Sequence, residues 1–359
     1  MTSEPVPRDS NEPVPGDSNE PVPGDSNEPV PGDSNEIVVI SGGVGAAKLL
    51  RGLIDVVEPA SITAVVNVAD DMVLHGLAIS PDIDTVTYTL ADAIDSERGW
   101  GLRDETWLAM KSLERYGDRN WFSLGDRDLA THMQRTARLA EGATLTEVSA
   151  EIAAAWDVGV SILPVSNDPI STFVTRKDSG EEIPFQEYFV GLRHDVPISS
   201  VRFDSISSST PTPEVLSAIA RADIIVIAPS NPIVSIAPVL EVPGILEAID
   251  ARRGPCIAIS PIVGGQALKG PAADMLDGLG LACDASGVGE LWREVADTLI
   301  IDDVDAPLSK AVCELGLTPY VTDTIMATPE RRTRLAKTVL SAAQLSKGRS
   351  QRPVCPSLH

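Results

Sequence analysis

Two stretches of this chain carry residue types suited to acting together on a charged substrate. Residues 41–48 read Ser-Gly-Gly-Val-Gly-Ala-Ala-Lys, and four aspartates, Asp70, Asp71, Asp82 and Asp84, fall within the fifteen residues 70–84. A glycine-rich loop lets the backbone come close to a ligand, and a helix after it aims free N–H groups and a positive dipole end at an anion. The spacing is not that of a Walker loop. It is also an incomplete dinucleotide fingerprint, because Gly43 and Gly45 fit but Lys48 stands at the third glycine position. Taken alone, the loop fits a phosphate cradle or a plain tight turn.

The aspartates are ambiguous in the same way. Asp82 and Asp84 flank the start of an expected helix after Pro81, where acids are common for capping and dipole reasons. Asp70-Asp71 is harder to explain so, since adjacent carboxylates repel unless a cation lies between their neighbours. Hard oxygen donors beside a phosphate loop point to Mg²⁺.

Three further segments fit the same rim. Leu124-Gly125-Asp126-Arg127-Asp128 leads into a helix that carries His132. Its charges read either as an N-cap with a local ion pair or as a guanidinium fork for phosphate; His132 reads as a packed or solvated side chain. Pro229-Ser230-Asn231-Pro232 offers polar groups to a base or ribose, or is a stiff turn. Ser260-Pro-Ile-Val-Gly264-Gly265 repeats that theme after another strand.

Elements must hold these loops in place. A β-branched run at 37–40 predicts a buried parallel strand, followed by a helix over 46–53 with Leu49, Leu50 and Leu53 on one face. Strands are expected at 62–68, 160–164, 171–175, 185–190, 199–203, 224–228, 256–260 and 299–301. Helices are expected at 82–94, 106–115, 128–139, 144–156, 213–222, 244–251, around 291–295, and 331–343. Alternation of strand and helix implies a doubly wound, mostly parallel, Rossmann-like α/β sheet with helices on both faces, with a smaller, partly antiparallel insertion over about 160–205. Ligands of such sheets bind at the carboxyl ends of strands, where the glycine loop, the Asp70-Asp71 pair and the segments at 229–232 and 260–265 fall.

The chain has 359 residues, 43% of them hydrophobic, enough for a sizeable core. Its net charge of −24 argues against a nucleic-acid partner. The octapeptide Glu-Pro-Val-Pro-(Arg/Gly)-Asp-Ser-Asn starts at Glu4, Glu12, Glu20 and Glu28, so residues 1–35 are expected to form a disordered tail. Residues 36–346 form the α/β domain and 347–359 a frayed end. The four cysteines, Cys256, Cys283, Cys313 and Cys355, have no zinc spacing. No apolar run approaches the roughly 20 residues that cross a bilayer, and no secretory signal is evident. A cytoplasmic protein is expected.

The motifs in order, Ile40-Ser-Gly-Gly-Val-Gly-Ala-Ala-Lys-Leu-Leu-Arg-Gly-Leu53, Val66-Asn-Val-Ala-Asp-Asp71, Ser80-Pro-Asp-Ile-Asp-Thr85, Arg98-Gly-Trp-Gly101, Leu124-Gly-Asp-Arg-Asp128, Phe185-Gln-Glu187, Pro229-Ser-Asn-Pro232 and Ser260-Pro-Ile262, resemble the 2-phospholactate transferase family of coenzyme F-420 biosynthesis. The resemblance spans about residues 37–345, and details such as residues 98–107 look closer to its actinobacterial, phosphoenolpyruvate-using branch. It implies transfer of a phosphoenolpyruvyl or 2-phospholactyl group from a guanylyl diphosphate donor to the deazaflavin Fo, with release of GMP. It also implies Mg²⁺ as cofactor and a homodimer. By motif position, Asp70 and Asp82 are the metal carboxylates. Asp71 or Asp84 is the proton acceptor, and Arg127 is the phosphate-facing charge. Substrate contacts fall to Gly42, Gly43, Gly45, Lys48, Asn67, His75, Asp126, Ser230, Asn231 and Gly264.

Two rivals are set against this. A related branch binds nucleotide sugars in regulation, but typically has glycines and serines after the Asp pair, where this chain has Met72-Val73-Leu74-His75. A nicotinamide dehydrogenase is disfavoured by the missing third glycine.

Overall fold

Strand β1 (Ile37–Ser41) is buried at every residue, as a β-branched run flanked by two other strands must be. In the computed structural model, which describes residues 35–117 and 121–347, it is an interior strand of a seven-stranded sheet. The other strands are β2 (Ile62–Val66), β3 (Ser161–Pro164), β4 (Ile224–Ile227), β5 (Cys256–Ile259), β6 (Thr298–Ile301) and β7 (Thr318–Val321). Their spatial order is β3-β2-β1-β4-β5-β6-β7, and every pairing is parallel. The strand order reverses between β1 and β4, which opens a crevice above the carboxyl ends of these two strands. The described residues belong to a unit that begins at Ser34. Residues 1–34 of the repeat tail and 348–359 of the C-terminal tail lie outside them.

Helix α1 (Gly43–Leu53) buries Ala46, Ala47, Leu49, Leu50 and Leu53 on the sheet. It starts three residues earlier than its apolar periodicity predicts, because the glycines themselves make the first turn. Gly45 is required there: a Cβ on it would lie 2.0 Å from Pro229 O, at the exit of β4. The third-glycine function of a dinucleotide loop is thus met by a close approach at Gly45. Helix α2 (Pro81–Leu90) packs against α1, and Pro81 sits at its first position, as its fixed φ and missing N–H allow. Helix α3 (Asp128–Ala140) and helix α4 (Leu145–Ala155) come next, and Thr144 and Glu147 close the expected capping box on α4. The last helix, α5 (Pro329–Lys347), returns to α1, where Gly52 leaves room for the Arg332 backbone.

Antiparallel pairing is confined to small additions. Ser171–Arg176 pairs with Glu182–Pro184 and with Ile198–Asp204. The insertion therefore begins after residues 161–164, which are a strand of the main sheet. Met72–Leu74 and Leu77–Ile79 form a hairpin between the two aspartate pairs.

Three expectations are corrected. Residues 185–190 are not a strand: Glu187–Gly191 is a π turn that buries Tyr188 between its neighbours. The helix expected around 291–295 is Ala285–Trp292, started by Asp284, whose side chain accepts from Ser286 and Gly287 N–H. Strand β7 is absent from the strands expected of the sequence. It is a partly exposed edge strand containing Pro319, and an edge is where a proline is tolerated.

Candidate active site

The glycine loop and the first aspartate pair meet because β1 and β2 are neighbours whose exits turn the same way. Asn67 N–H donates to Ser41 O at 2.9 Å, which continues the ladder past the last paired residues. The buried Asn67 side chain then organises the residues around it. Its Oδ1 accepts from Ala69 N–H at 2.9 Å, and its Nδ2 donates to Asp82 Oδ2 at 3.0 Å. Asp82 also accepts from the Gly43 N–H. Its carboxylate leaves so little room that a Cβ on Gly42 or Gly43 would lie 3.1 Å from one of its oxygens. Gly43 holds φ +61, a left-handed value that suits glycine.

The carboxylates are buried and crowded. Asp70 and Asp82 are each 7% exposed and Asp84 is 5%. Asp70 Oδ1 and Asp71 Oδ1 are buried without a hydrogen-bond partner. The other Asp71 oxygen accepts from the Ser80 hydroxyl at 2.7 Å. Burial pushes the Asp70 carboxyl well above the usual range, and the neighbouring Asp82 and Asp71 charges push it further. Burial raises Asp71 likewise, against the Ser80 bond. Burial pushes Asp82 up to about 6, although Asn67 and Gly43 donate to it. Buried charges of one sign need a counterion, and the unpartnered oxygens of Asp70 and Asp71, beside Asp82, form a buried cluster of hard oxygen atoms with no hydrogen-bond partner at those atoms.

Asp84 has a different environment. Arg135 of α3, fully buried, grips Asp84 with both terminal nitrogens, and its Nη1 lies 3.1 Å from Asp84 Oδ2. His132 stands one turn earlier, with Nδ1 3.6 Å from Asp84 and Nε2 3.4 Å from Asp128. Tyr88 Oη donates to the other Asp128 oxygen at 2.6 Å. Among the described residues, Asp84, Asp128 and His132 bring donor atoms within 4.8 Å of one another. Arg135 already supplies the positive charge there, so the trio has its cation. His132 is a packed histidine, as its helical position predicts.

The remaining predicted residues separate into two groups. Lys48 is half-buried on α1; burial lowers its ammonium pKa, and the charges of Lys269 and Arg332 lower it further. It is therefore part of a cationic patch beside the glycine loop. His75 lies at the hairpin tip with φ 51. Elsewhere, side chains assigned to substrate are turned toward the protein. The Ser230 hydroxyl bonds Gly42 O and accepts from Ala46 N–H at 3.1 Å, so it shapes the glycine loop. Asn231 Oδ1 caps the turn at Ile233 N–H, 2.9 Å away. Asp126 accepts from Leu108 and Ala109 N–H, both at 2.9 Å, at the start of a short helix. The Gly264 N–H donates to both oxygens of Asp305 at 3.1 Å. Arg127 is exposed and donates to Arg103 O at 2.6 Å, so its hydrogen bonds do not reach the aspartates.

Sequence reasoning missed Arg135, Tyr88 and Thr172. Asp128, His132 and Arg135 are spaced i, i+4, i+7, which places them on one face of α3, and that spacing was the available signal. Thr172 N–H donates to Ala69 O at 2.8 Å, which brings an inserted strand beside Asp70. Nothing local to Thr172 marks that contact.

The folded-state pKa of Asp82 lies above its ordinary value, so between these values the folded chain binds more protons than the unfolded chain. Stability then falls as pH rises through the folded pKa. Asp70 and Asp71 shift in the same direction. Metal-free protein in chelator is expected to melt a few degrees higher at pH 5.5 than at pH 7.5, as read by scanning calorimetry. Equal midpoints, or the reverse order, would show that these acids are not held against their own repulsion.

The family model described as "2-phospho-L-lactate transferase CofD" matches residues 37–340. A phosphoenolpyruvate transferase of Streptomyces griseus is 40% identical over 312 residues, covering 86% of this chain and 98% of that protein. One from Kitasatospora aureofaciens is 38% identical over 313 residues, with the same coverages. One from Mycobacterium ulcerans is 42% identical over 282 residues, covering 74% of this chain and 86% of that protein. In fold, the chain resembles a upf0052-family protein of Bacillus halodurans. The TM-score is 0.56 at 20% identity, over 85% of this chain and 98% of that one.

Proposed function

The chain belongs to the 2-phospho-L-lactate transferase family CofD, transferases of coenzyme F-420 biosynthesis, and on that premise we propose that it transfers a phosphoenolpyruvyl group from a guanylyl diphosphate donor to the deazaflavin Fo. The 2-phospholactyl group is the alternative group that the same phosphorus-centred chemistry would transfer. The name shared by the three relatives supports the enolpyruvyl donor. A homodimer in the cytoplasm accords with the family, and no helix among the described residues is long and apolar enough to cross a membrane.

One observation carries this reading: Asp70 Oδ1 and Asp71 Oδ1 are buried and unpartnered, next to Asp82, where β1 and β2 open beside the β1–β4 crevice. That donor set fits Mg²⁺, which Asp70 and Asp82 would hold and which, when bound, neutralises charge on the donor's diphosphate. The chain's own groups do the rest. Backbone around Gly42–Gly45 cradles the diphosphate at the start of α1, and Lys48 adds positive charge beside it. The ribityl hydroxyl oxygen of Fo forms a bond to the β-phosphorus as the bond to the GMP oxygen breaks. The hydroxyl proton passes to a carboxylate. Asp71 suits this better than Asp84, because one Asp71 oxygen has no partner whereas Arg135 grips Asp84 on both. Such transfers depend on positioning and charge stabilisation more than on covalent catalysis.

The test is to incubate the protein with Fo, Mg²⁺ and each donor in turn, and weigh the product. The expected result is Fo carrying a phosphoenolpyruvyl group, with one GMP released per product; a lactyl product would be two hydrogens heavier. A tight nucleotide-sugar complex without turnover on either donor would favour the regulatory branch instead.

A further inference from the structure

The segment between α2 and α3 holds an aromatic feature that the transfer chemistry leaves unused. Trp100 is 45% exposed, a large share for an indole in a protein whose aromatic residues are few. It is not loosely held. Its ring meets Trp107 edge-on at 5.9 Å. The Arg98 guanidinium lies 5.6 Å from the Trp100 centroid and 5.3 Å from that of Trp107, within cation–π range. Arg98 is itself tied to Asp95 at 3.0 Å and to Leu102 O at 2.9 Å. Gly99 and Gly101, at φ +77 and +68, fold the chain tightly on either side of Trp100. A turn so braced presents its indole as a fixed surface.

Its location links it to the glycine loop. Lys269 Nζ would lie 2.4 Å from a Cβ on Gly99, so this lysine is packed against the Trp100 turn. Lys269 also acts electrostatically on Lys48 of α1. Lys269 thus stands beside the aromatic turn and within electrostatic reach of Lys48, which lies on the helix that the glycine loop opens. An aromatic face beside cations suits a planar heteroaromatic ring whose chain reaches toward phosphate.

We propose that Trp100, braced by Arg98 and Trp107, is the stacking face for the planar ring of the acceptor, with Lys269 and Lys48 between that ring and the glycine loop. This rests on the acceptor being a deazaflavin. Stacking on one aromatic side chain contributes on the order of 1–3 kcal/mol, or about five- to 150-fold in affinity.

Fo and GDP with Mg²⁺ are titrated separately into the full chain and into its Trp100→Ala and Trp100→Phe variants, by calorimetry. The expected result is that Trp100→Ala weakens Fo at least tenfold, Trp100→Phe weakens it by threefold or less, and GDP affinity is unchanged in both. Circular dichroism melts confirm that the variants fold. Absence of Fo binding to the unaltered chain, equal Fo affinity in Trp100→Ala, or loss of GDP in place of Fo would each overturn the platform. The two readings fail separately. Fo held through Trp100 without any product from either donor would sink the transferase reading alone. Product formation by Trp100→Ala with an unchanged KM for Fo would sink the platform alone.

Discussion

Asp70→Asn is expected to lower kcat/KM by at least about tenfold, roughly 1.4 kcal/mol of transition-state stabilisation, while raising the melting temperature of the metal-free protein. The two effects come from one atom. Asp70 Oδ1 is buried and has no hydrogen-bond partner, and the Asp82 and Asp71 carboxylates repel its charge. An amide of the same shape removes that repulsion and its desolvation cost. Without a cation, the wild-type chain therefore holds an arrangement less favourable than that of its neutral isostere. Function is the reason to keep such an arrangement, since an active site can be stabilised at the expense of activity. The same change removes a hard anionic ligand, so rate and stability should move in opposite directions. Steady-state kinetics on Fo and donor, with melts in chelator, measure both. If activity survives in Asp70→Asn and in Asp82→Asn alike, the assignment of these acids to a cation is wrong. If activity falls and stability falls with it, Asp70 is a structural residue.

Much of the frame was legible because its signals are local. The run at 37–40 has no polar position, so it predicts a strand buried on both faces, and it is one. The glycine run after it predicts a turn into a helix, and the Thr144–Glu147 box predicts where α4 starts. What sequence cannot contain is long-range register. Arg135 comes fifty-one residues after Asp84, and nothing in α3 alone says which acid its inner face will meet. Thr172 reaches Asp70 only because an inserted strand crosses the exit of β2. Polar loop residues pose a related difficulty. Ser230 and Asn231 have the composition of ligand contacts and of turn caps alike, and the fold gives them capping bonds at Gly42, Ala46 and Ile233. The helical turn at Glu187–Gly191 shows the limit of propensity. A Tyr-Phe-Val run favours a strand, yet burying Tyr188 against the insertion prevails over that preference.

Arg135→Met should have the largest effect on stability of any single change near the site. Arg135 is fully buried and makes its charge-assisted bonds to Asp84 on both oxygens. Removing it leaves Asp84 buried and uncompensated, in a cluster where Asp71 already adds negative charge. Breaking a buried pair from one side costs about 3–5 kcal/mol, and in a domain of this size that lowers the melting temperature by roughly 10 °C. The loss should not stop at the pair. Asp84 lies in the first turn of α2, so a displaced Asp84 carries Asp82 with it, and Asp82 is the acid that Asn67 and Gly43 hold against the glycine loop. Activity should therefore fall in the fraction that stays folded. The double variant Arg135→Met/Asp84→Asn separates the two effects. With the stranded charge neutralised, most of the lost stability should return, because the penalty lies in the unpaired acid more than in the missing bonds. Activity should return as well if Arg135 acts only by holding α2 in place. A double variant as unstable as Arg135→Met alone would mean that Arg135 contributes through packing, and that the charge on Asp84 is already screened by other means.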